Sequence, residues 1–149
     1  MAAGETGTRD RAAILATLDE YAAAYCAKDI DRMMNLFDSG DEISVIGTGA
    51  DELCSGWSAV RQLFVRNFAE ATALQFRWGW RHLTVLDDFA LLAQLVELQI
   101  RVDGDGRTIP LRWTIGLVCR ADGWRWLHRN ASVAAGGQSD DQAYPDTGA

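Results

Sequence analysis

Apolar residues recur at helical spacing through the first half of the chain. Within residues 9–27 they fall at positions i, i+4, i+7 and i+11, which places them on one face of a helix. A second, shorter helix is predicted over residues 30–37 with Asp29 as its N-cap, and a third over residues 57–69. The buried stripe predicted for the first helix consists of Ile14, Leu18, Tyr21 and Tyr25.

The period of the pattern changes to two in the second half of the chain, as in β-strands. Four long strands are predicted, over residues 74–86, 89–102, 108–120 and 124–134. A shorter strand is predicted over residues 43–46. The separators between the long segments are brief and rich in Asp and Gly, and turns of this kind join antiparallel neighbours. The pattern of the second half therefore predicts an antiparallel meander.

The order of these elements predicts the fold class. Three helices followed by long hairpins define an α+β layer fold. Because the helices cover only one face of the sheet, the sheet must curl. We expect three N-terminal helices packed on a curved antiparallel or mixed sheet, forming a cone with a pocket.

The chain of 149 residues has the usual size of one domain. The fold is predicted to occupy residues 9–135. Residues 1–8 are small and polar and are predicted to be disordered, and residues 136–149 are predicted to form a flexible acidic tail.

Composition excludes several classes of function. A net charge of −7 argues against a nucleic-acid or anionic-membrane partner, since phosphates need a clustered basic face. No apolar run has the length of a membrane span, and no basic-then-apolar signal opens the chain. The three cysteines are widely spaced, which fits free thiols in the cytoplasm. Metal and nucleotide motifs are lacking, so no cofactor or metal is expected.

Several phrases carry a resemblance to a known family. YAAAYCAKDIDRMMNLF (21–37) resembles the first two helices of SnoaL-like domains, and SGWSAVRQLF (55–64) resembles their glycine-led third helix. ADGWRWLHRNAS (121–132) resembles their last strand, and also the end of the association domain of calcium/calmodulin-dependent protein kinase. The chain is therefore similar to the SnoaL-like branch of the nuclear transport factor 2-like superfamily.

This resemblance implies a range of functions rather than one. The superfamily holds ketosteroid isomerases, polyketide cyclases, dehydratases and epoxide hydrolases, together with non-catalytic assembly modules. One expectation is a binding domain for a small apolar or aromatic molecule. The alternative is a small acid–base enzyme of the cyclase, isomerase or dehydratase kind, acting on an apolar carbonyl compound. The resemblance also implies a homodimer formed through the outer face of the sheet.

Two residues are candidates for acid–base chemistry. Glu97 interrupts an otherwise apolar strand, where a carboxylate must be paired, hydrogen-bonded or protonated. Alignment of the turn that follows with the kinase association domain predicts that Glu97 faces the pocket. His128 is a candidate acid or base, because histidine is the side chain suited to proton transfer near neutral pH. The alternatives are that Glu97 faces solvent or pairs with Arg112, and that His128 is a structural, hydrogen-bonded residue.

Four residues are candidates for ligand binding. Arg112 and Asn130 share the strand faces predicted to point inward, and Trp57 would offer a flat aromatic surface at the mouth. Tyr21 occupies the place of the ketosteroid isomerase tyrosine that stabilises an oxyanion, although it also lies on the core stripe of its helix. The isomerase aspartate is expected near residues 45–47, where Val-Ile-Gly stands instead, so steroid isomerase chemistry is not expected.

Overall fold

A computed structural model describes residues 3–146, and the side chains from residue 7 onward. Three helices are followed by long strands, as predicted, and two short strands lie between the second and third helices. The elements are α1 (Ala3–Ala27), α2 (Ile30–Asn35), β1 (Ser44–Ile46), β2 (Leu53–Ser55), α3 (Trp57–Glu70), β3 (Thr72–Leu86), β4 (Phe89–Val102), β5 (Asp105–Arg120) and β6 (Gly123–Ser132).

The ends of the chain differ in part from expectation. Helix α1 already begins at Ala3, so residues 3–8, which were expected to be disordered, are helical. Residues 136–146 contain turns and are mostly exposed, and the flexibility of the tail stays a prediction. Residues 1–2 and 147–149, on which parts of both predictions fall, lie outside the described residues.

Local chemistry explains where the second helix starts. Lys28 has a positive φ of 55°, which ends α1 and turns the chain. The carboxylate of Asp29 then accepts a hydrogen bond from the backbone N–H of Arg32 at 3.1 Å. Asp29 is therefore the N-cap of α2, as predicted.

The strands form one six-stranded sheet with the order β2-β1-β6-β5-β4-β3. Strand β1 runs parallel to β6, and every other neighbouring pair is antiparallel, so the sheet is mixed. The β4–β5 turn uses Asp103 and Gly104, both at positive φ, so that Val102 pairs directly with Asp105. Strand β5 therefore starts three residues earlier than residue 108, where it was predicted to begin.

Bulges bend the sheet around the helices. In β6 the register passes from Leu117–Trp126 to Gly116–His128, which leaves Leu127 as an extra residue. In β3 a similar irregularity lies between Trp78 and Arg81. The side-chain amide of Gln94 fills this second bulge and is buried, since the residue is 1% exposed. Its Nε2 donates to the backbone carbonyls of Gly79, Trp80 and Leu95.

The hydrophobic core lies between the helices and the inner, concave face of the sheet. Helix α1 packs against β3 and β6 and supplies Ile14, Leu18 and Tyr21. The other face of the sheet, called the outer face below, has no helix on it among the described residues. This one-sided cover is what the sequence pattern predicted for a cone.

Candidate functional site

A cavity of about 310 Å³ opens inside the cone, between the helices and the inner face of the sheet. Its innermost wall contains the buried side chains of Tyr21, Trp113 and Arg129. Its rim includes Glu70 and Arg107, which are exposed. Apolar side chains form the middle of the wall: Phe76, Leu98, Ile109 and Leu111. This cavity, called the pocket below, has the size of sites that take small organic molecules.

The pocket contains a buried hydrogen bond between α1 and β6. Arg129 donates from Nη1 to the hydroxyl of Tyr21 at 2.7 Å. The two residues are 5% and 1% exposed. Burial raises the pKa of the Tyr21 hydroxyl, and the neighbouring Arg129 charge and hydrogen bond only partly oppose this effect. Tyr21 is therefore neutral near pH 7 and keeps a proton that it can donate.

Aromatic rings surround the guanidinium of Arg129. Its central carbon lies 5.6 Å from the ring centre of Trp113, 5.8 Å from that of Phe64 and 6.0 Å from that of Tyr21. These distances are those of cation–π contacts, which partly compensate a desolvated charge. The ring of Tyr21 also stacks on Trp126 at 5.0 Å, which holds the phenol in place.

Two buried donors in this wall have no hydrogen-bond partner: Trp113 Nε1 and Arg129 Nε. Arg129 also has no ion pair, because within residues 7–146 no carboxylate lies within 4.0 Å of its guanidinium. An unpartnered buried donor costs about 1–3 kcal/mol, and more when it is charged. The pocket thus carries hydrogen-bonding capacity that the protein itself does not use.

A carboxylate also lines the pocket. Glu52 follows a tight loop that begins at Gly47. The Gly47 N–H donates to the Glu52 carbonyl at 2.9 Å, so Glu52 lies beside the end of β1. Its side chain is 17% exposed and accepts from Gly49 N–H at 2.8 Å, and it lies 3.5 Å from Arg66 Nη2. A Cβ atom at Gly47 would lie 2.7 Å from a Glu52 oxygen, so this position needs glycine.

The predicted inward placement of Glu97 is wrong. Glu97 is exposed on the outer face, where its register partners are Arg77 on β3 and Pro110 on β5. Strand β4 is apolar on both faces, so its pattern did not distinguish them, and the charged residue takes the face open to water.

Arg112 also lies on the outer face, against the prediction. It is exposed and donates to the Ser132 hydroxyl at 3.3 Å and to the Val133 carbonyl at 3.2 Å. Its register partner on β4 is Leu95, two residues before Glu97, and no ion pair joins the charges of Glu97 and Arg112.

The extra residue in β6 explains why the placement of His128 and Asn130 was also wrong. Strict alternation carries the inward face from Trp126 to His128, but the bulge at Leu127 shifts it to Arg129. His128 lies instead beside β1, where its Nδ1 is 2.8 Å from the Ser44 hydroxyl. Asn130 follows on the same face as His128, and neither residue lines the pocket.

Of the predicted ligand-binding residues, the structure places Tyr21 in the pocket and Trp57 outside it. Trp57 lines a separate, smaller cavity beside Asp38 and Arg125, because the start of α3 lies near the end of α2. Arg129 and Glu52 are among the pocket residues that the pattern did not identify. For Arg129, the only signal in the sequence was the apolar Ala131, which falls outside the alternation that would place His128 and Asn130 inward. For Glu52, the only signal was the glycine-rich loop that precedes it.

In the described part of the chain, no group of three or more His, Cys, Asp or Glu side chains is arranged to hold a metal ion. None of the helices described there is both long and apolar enough to cross a membrane.

The fold and pocket together define a cone-shaped α+β domain of the nuclear transport factor 2-like class. The SnoaL-like domain family matches residues 14–136, and the chain belongs to this family. No curated protein matches the sequence significantly.

Solved structures of this class are similar over most of the chain. One is an NTF2-like family protein from Streptomyces avermitilis whose name proposes a dehydratase, at 18% identity over 86% of this chain and 99% of that one (TM-score 0.76). Another is an NTF2-like protein with a cystatin-like fold from Novosphingobium aromaticivorans, at 18% identity over 90% and 88% (TM-score 0.73). A third is a ketosteroid isomerase-like protein from Erwinia carotovora atroseptica, at 16% identity over 83% and 95% (TM-score 0.71). At these identities the likeness concerns the fold alone.

Proposed function

We propose that this protein binds a small apolar or aromatic molecule in the pocket. The observation that carries the proposal is the composition of the wall, in which Phe76, Trp113, Leu98 and Leu111 face a cavity of about 310 Å³. Apolar walls with a few convergent polar groups are typical of small-molecule sites. The flat faces of Phe76 and Trp113, with ring centres 6.0 Å apart, suit an aromatic ligand.

Binding of a neutral aromatic probe tests this proposal. We expect 2-naphthamide to bind the wild-type protein in isothermal titration calorimetry. Leu111→Trp should abolish binding, because the larger side chain occupies the pocket. Leu86→Trp, the same substitution at a position that is 66% exposed, is the matched control and should bind like wild type. Equal binding by both variants would place the probe elsewhere and contradict the proposal.

One observation favours a second candidate function, acid–base catalysis on an apolar carbonyl compound. The Glu52 carboxylate lines the same pocket as Tyr21 and Arg129. A base and two donors around one cavity are the groups that enolisation needs, because the base takes a proton and the donors stabilise the oxyanion. In this alternative Glu52 replaces Glu97 and His128, which face away from the pocket.

The compartment is part of the same proposal. Cys26, Cys54 and Cys119 are free thiols, a state that a reducing environment maintains. We propose that the protein works in the cytoplasm, a location that these free thiols support.

A further inference from the structure

The two buried side-chain groups of the pocket wall that lack a hydrogen-bond partner are of one kind. Trp113 Nε1 and Arg129 Nε are both N–H donors, and neither has a partner. No buried side-chain acceptor of the described residues lacks a partner. A ligand that completes this wall must therefore bring acceptor atoms rather than donors.

The charge of the pocket wall further restricts the chemistry of the ligand. Arg129 is a cation, because a guanidinium is not deprotonated in proteins. Its contacts within hydrogen-bonding distance come from the neutral Tyr21 hydroxyl, and the rings around it provide the rest of the compensation. The Glu52 carboxylate is engaged by Gly49 and Arg66 rather than by Arg129. The wall thus carries a buried cation without an ion pair among the described residues, and such a wall favours an anion.

The geometry of the guanidinium indicates which anion fits. Tyr21 occupies Nη1, whereas Nε and Nη2 share the opposite edge of the plane. Two parallel N–H groups along one edge match the two oxygens of a carboxylate. The apolar side chains nearer the rim, including Leu98 and Ile109, would then surround the hydrocarbon part of the molecule.

We propose that the ligand is an aromatic or apolar carboxylic acid, whose carboxylate binds Arg129 beside Trp113 at the inner end of the pocket. The proposal rests on the proposed function, since it specifies the chemistry of a ligand of the same pocket.

A matched pair of probes tests this inference. 2-Naphthoate and 2-naphthamide share their ring system and differ mainly in charge at pH 7. We expect calorimetry to show that the wild-type protein binds the naphthoate at least about tenfold more tightly than the naphthamide. A hydrogen bond to a charged group contributes enough free energy to account for this ratio. Arg129→Met, which removes the charge at similar volume, should bind both probes about equally.

Two further variants separate charge from position. Arg129→Lys keeps a charge but loses the planar edge, so it should retain a reduced preference for the naphthoate. Arg112→Met makes the methionine substitution on the outer face and should keep the wild-type preference.

The outcomes distinguish this inference from the proposed function. Binding of neither probe to the wild-type protein would contradict both. Equal binding, or tighter binding of the amide, would overturn the inference and leave the proposed function intact. The ratio of the two probes' affinities for the wild-type protein tests the inference even where a variant does not fold. A preference that persists in Arg129→Met would place the carboxylate at another cation, such as Arg107, and would also overturn the inference.

Discussion

At the scale of single residues, Glu52 decides between binding and catalysis. If the protein enolises ketones, Glu52 takes a proton from the carbon next to the carbonyl while Tyr21 and Arg129 stabilise the enolate oxygen. Deuterium exchange of 2-tetralone in D₂O, followed by NMR, measures this step. If the protein catalyses this reaction, the exchange rate with the wild-type protein should exceed the rate in buffer alone. Glu52→Gln should lower the catalysed rate at least about a hundredfold, the usual contribution of a positioned base.

Glu42→Gln is the matched control for this prediction, because Glu42 is exposed and does not line the pocket. It should leave the exchange rate unchanged. Wild-type exchange at the buffer rate would exclude this reaction for the probe and leave binding as the function.

The same residues show how far a site can be predicted from alternation. The inward direction of Tyr21 was predictable, because a regular helix keeps its stripe in phase over its whole length, whereas its place among the candidate site residues came from the family resemblance. Arg129 was not, because a single extra residue at Leu127 reverses the faces of all that follows. Glu97 was placed wrongly for another reason: with apolar residues on both faces of β4, neither face was marked as the inner one.

At the scale of elements, prediction succeeded where periodicity was long. The three helices and four long strands follow from their repeats, and the Asp103-Gly104 turn follows from its residue types. Strand β2 was missed because its residues Leu-Cys-Ser include no β-branched side chain, whereas the equally short β1 contains Val45 and Ile46. Its pairing with β1 depends on contacts within the fold rather than on local sequence.

The end of α2 is tied to the sheet by an ion pair that should make stability depend on acid pH. Arg120 donates to both oxygens of Asp38, from Nε at 2.9 Å and Nη2 at 2.8 Å, and the Asp38 side chain is 11% exposed. These hydrogen bonds lower the pKa of Asp38. Its stabilisation is therefore fully present above the unfolded pKa of about 3.9 and is lost as the pH falls through the lower folded value.

Asp38→Asn should lower the free energy of unfolding by about 1 kcal/mol at pH 7, because Arg120 remains half-exposed and water screens part of the pair. The difference from wild type should shrink as the pH falls below about 3.9. Urea unfolding across this pH range measures both effects. Asp51→Asn breaks an ion pair whose carboxylate is 74% exposed, and it should change stability little. A constant difference at every pH would contradict the role given to ionised Asp38.

At the scale of the whole molecule, a cone covered by helices on one side leaves the other side of its sheet open. The outer face carries exposed apolar residues, among them Leu91 and Leu95, at 46% and 41% exposure. Leu95 lines an outer-face groove together with Arg77, Glu97 and Arg112. An apolar surface with mixed charges at its edges is suited to association.

We propose that two copies of the chain pair through this outer face. A twofold contact sets one patch against itself, so Glu97 of each copy can approach Arg77 or Arg112 of the other, and the apolar centre is buried. Sedimentation equilibrium should therefore give the mass of a dimer for the wild type. Leu95→Arg should give a monomer, because it introduces like charges at the centre of the contact. Leu53→Arg, at a position on β2 that is 71% exposed, should remain dimeric. A monomeric wild-type protein would contradict the proposal, and a dimer that persists in Leu95→Arg would place the contact on another surface.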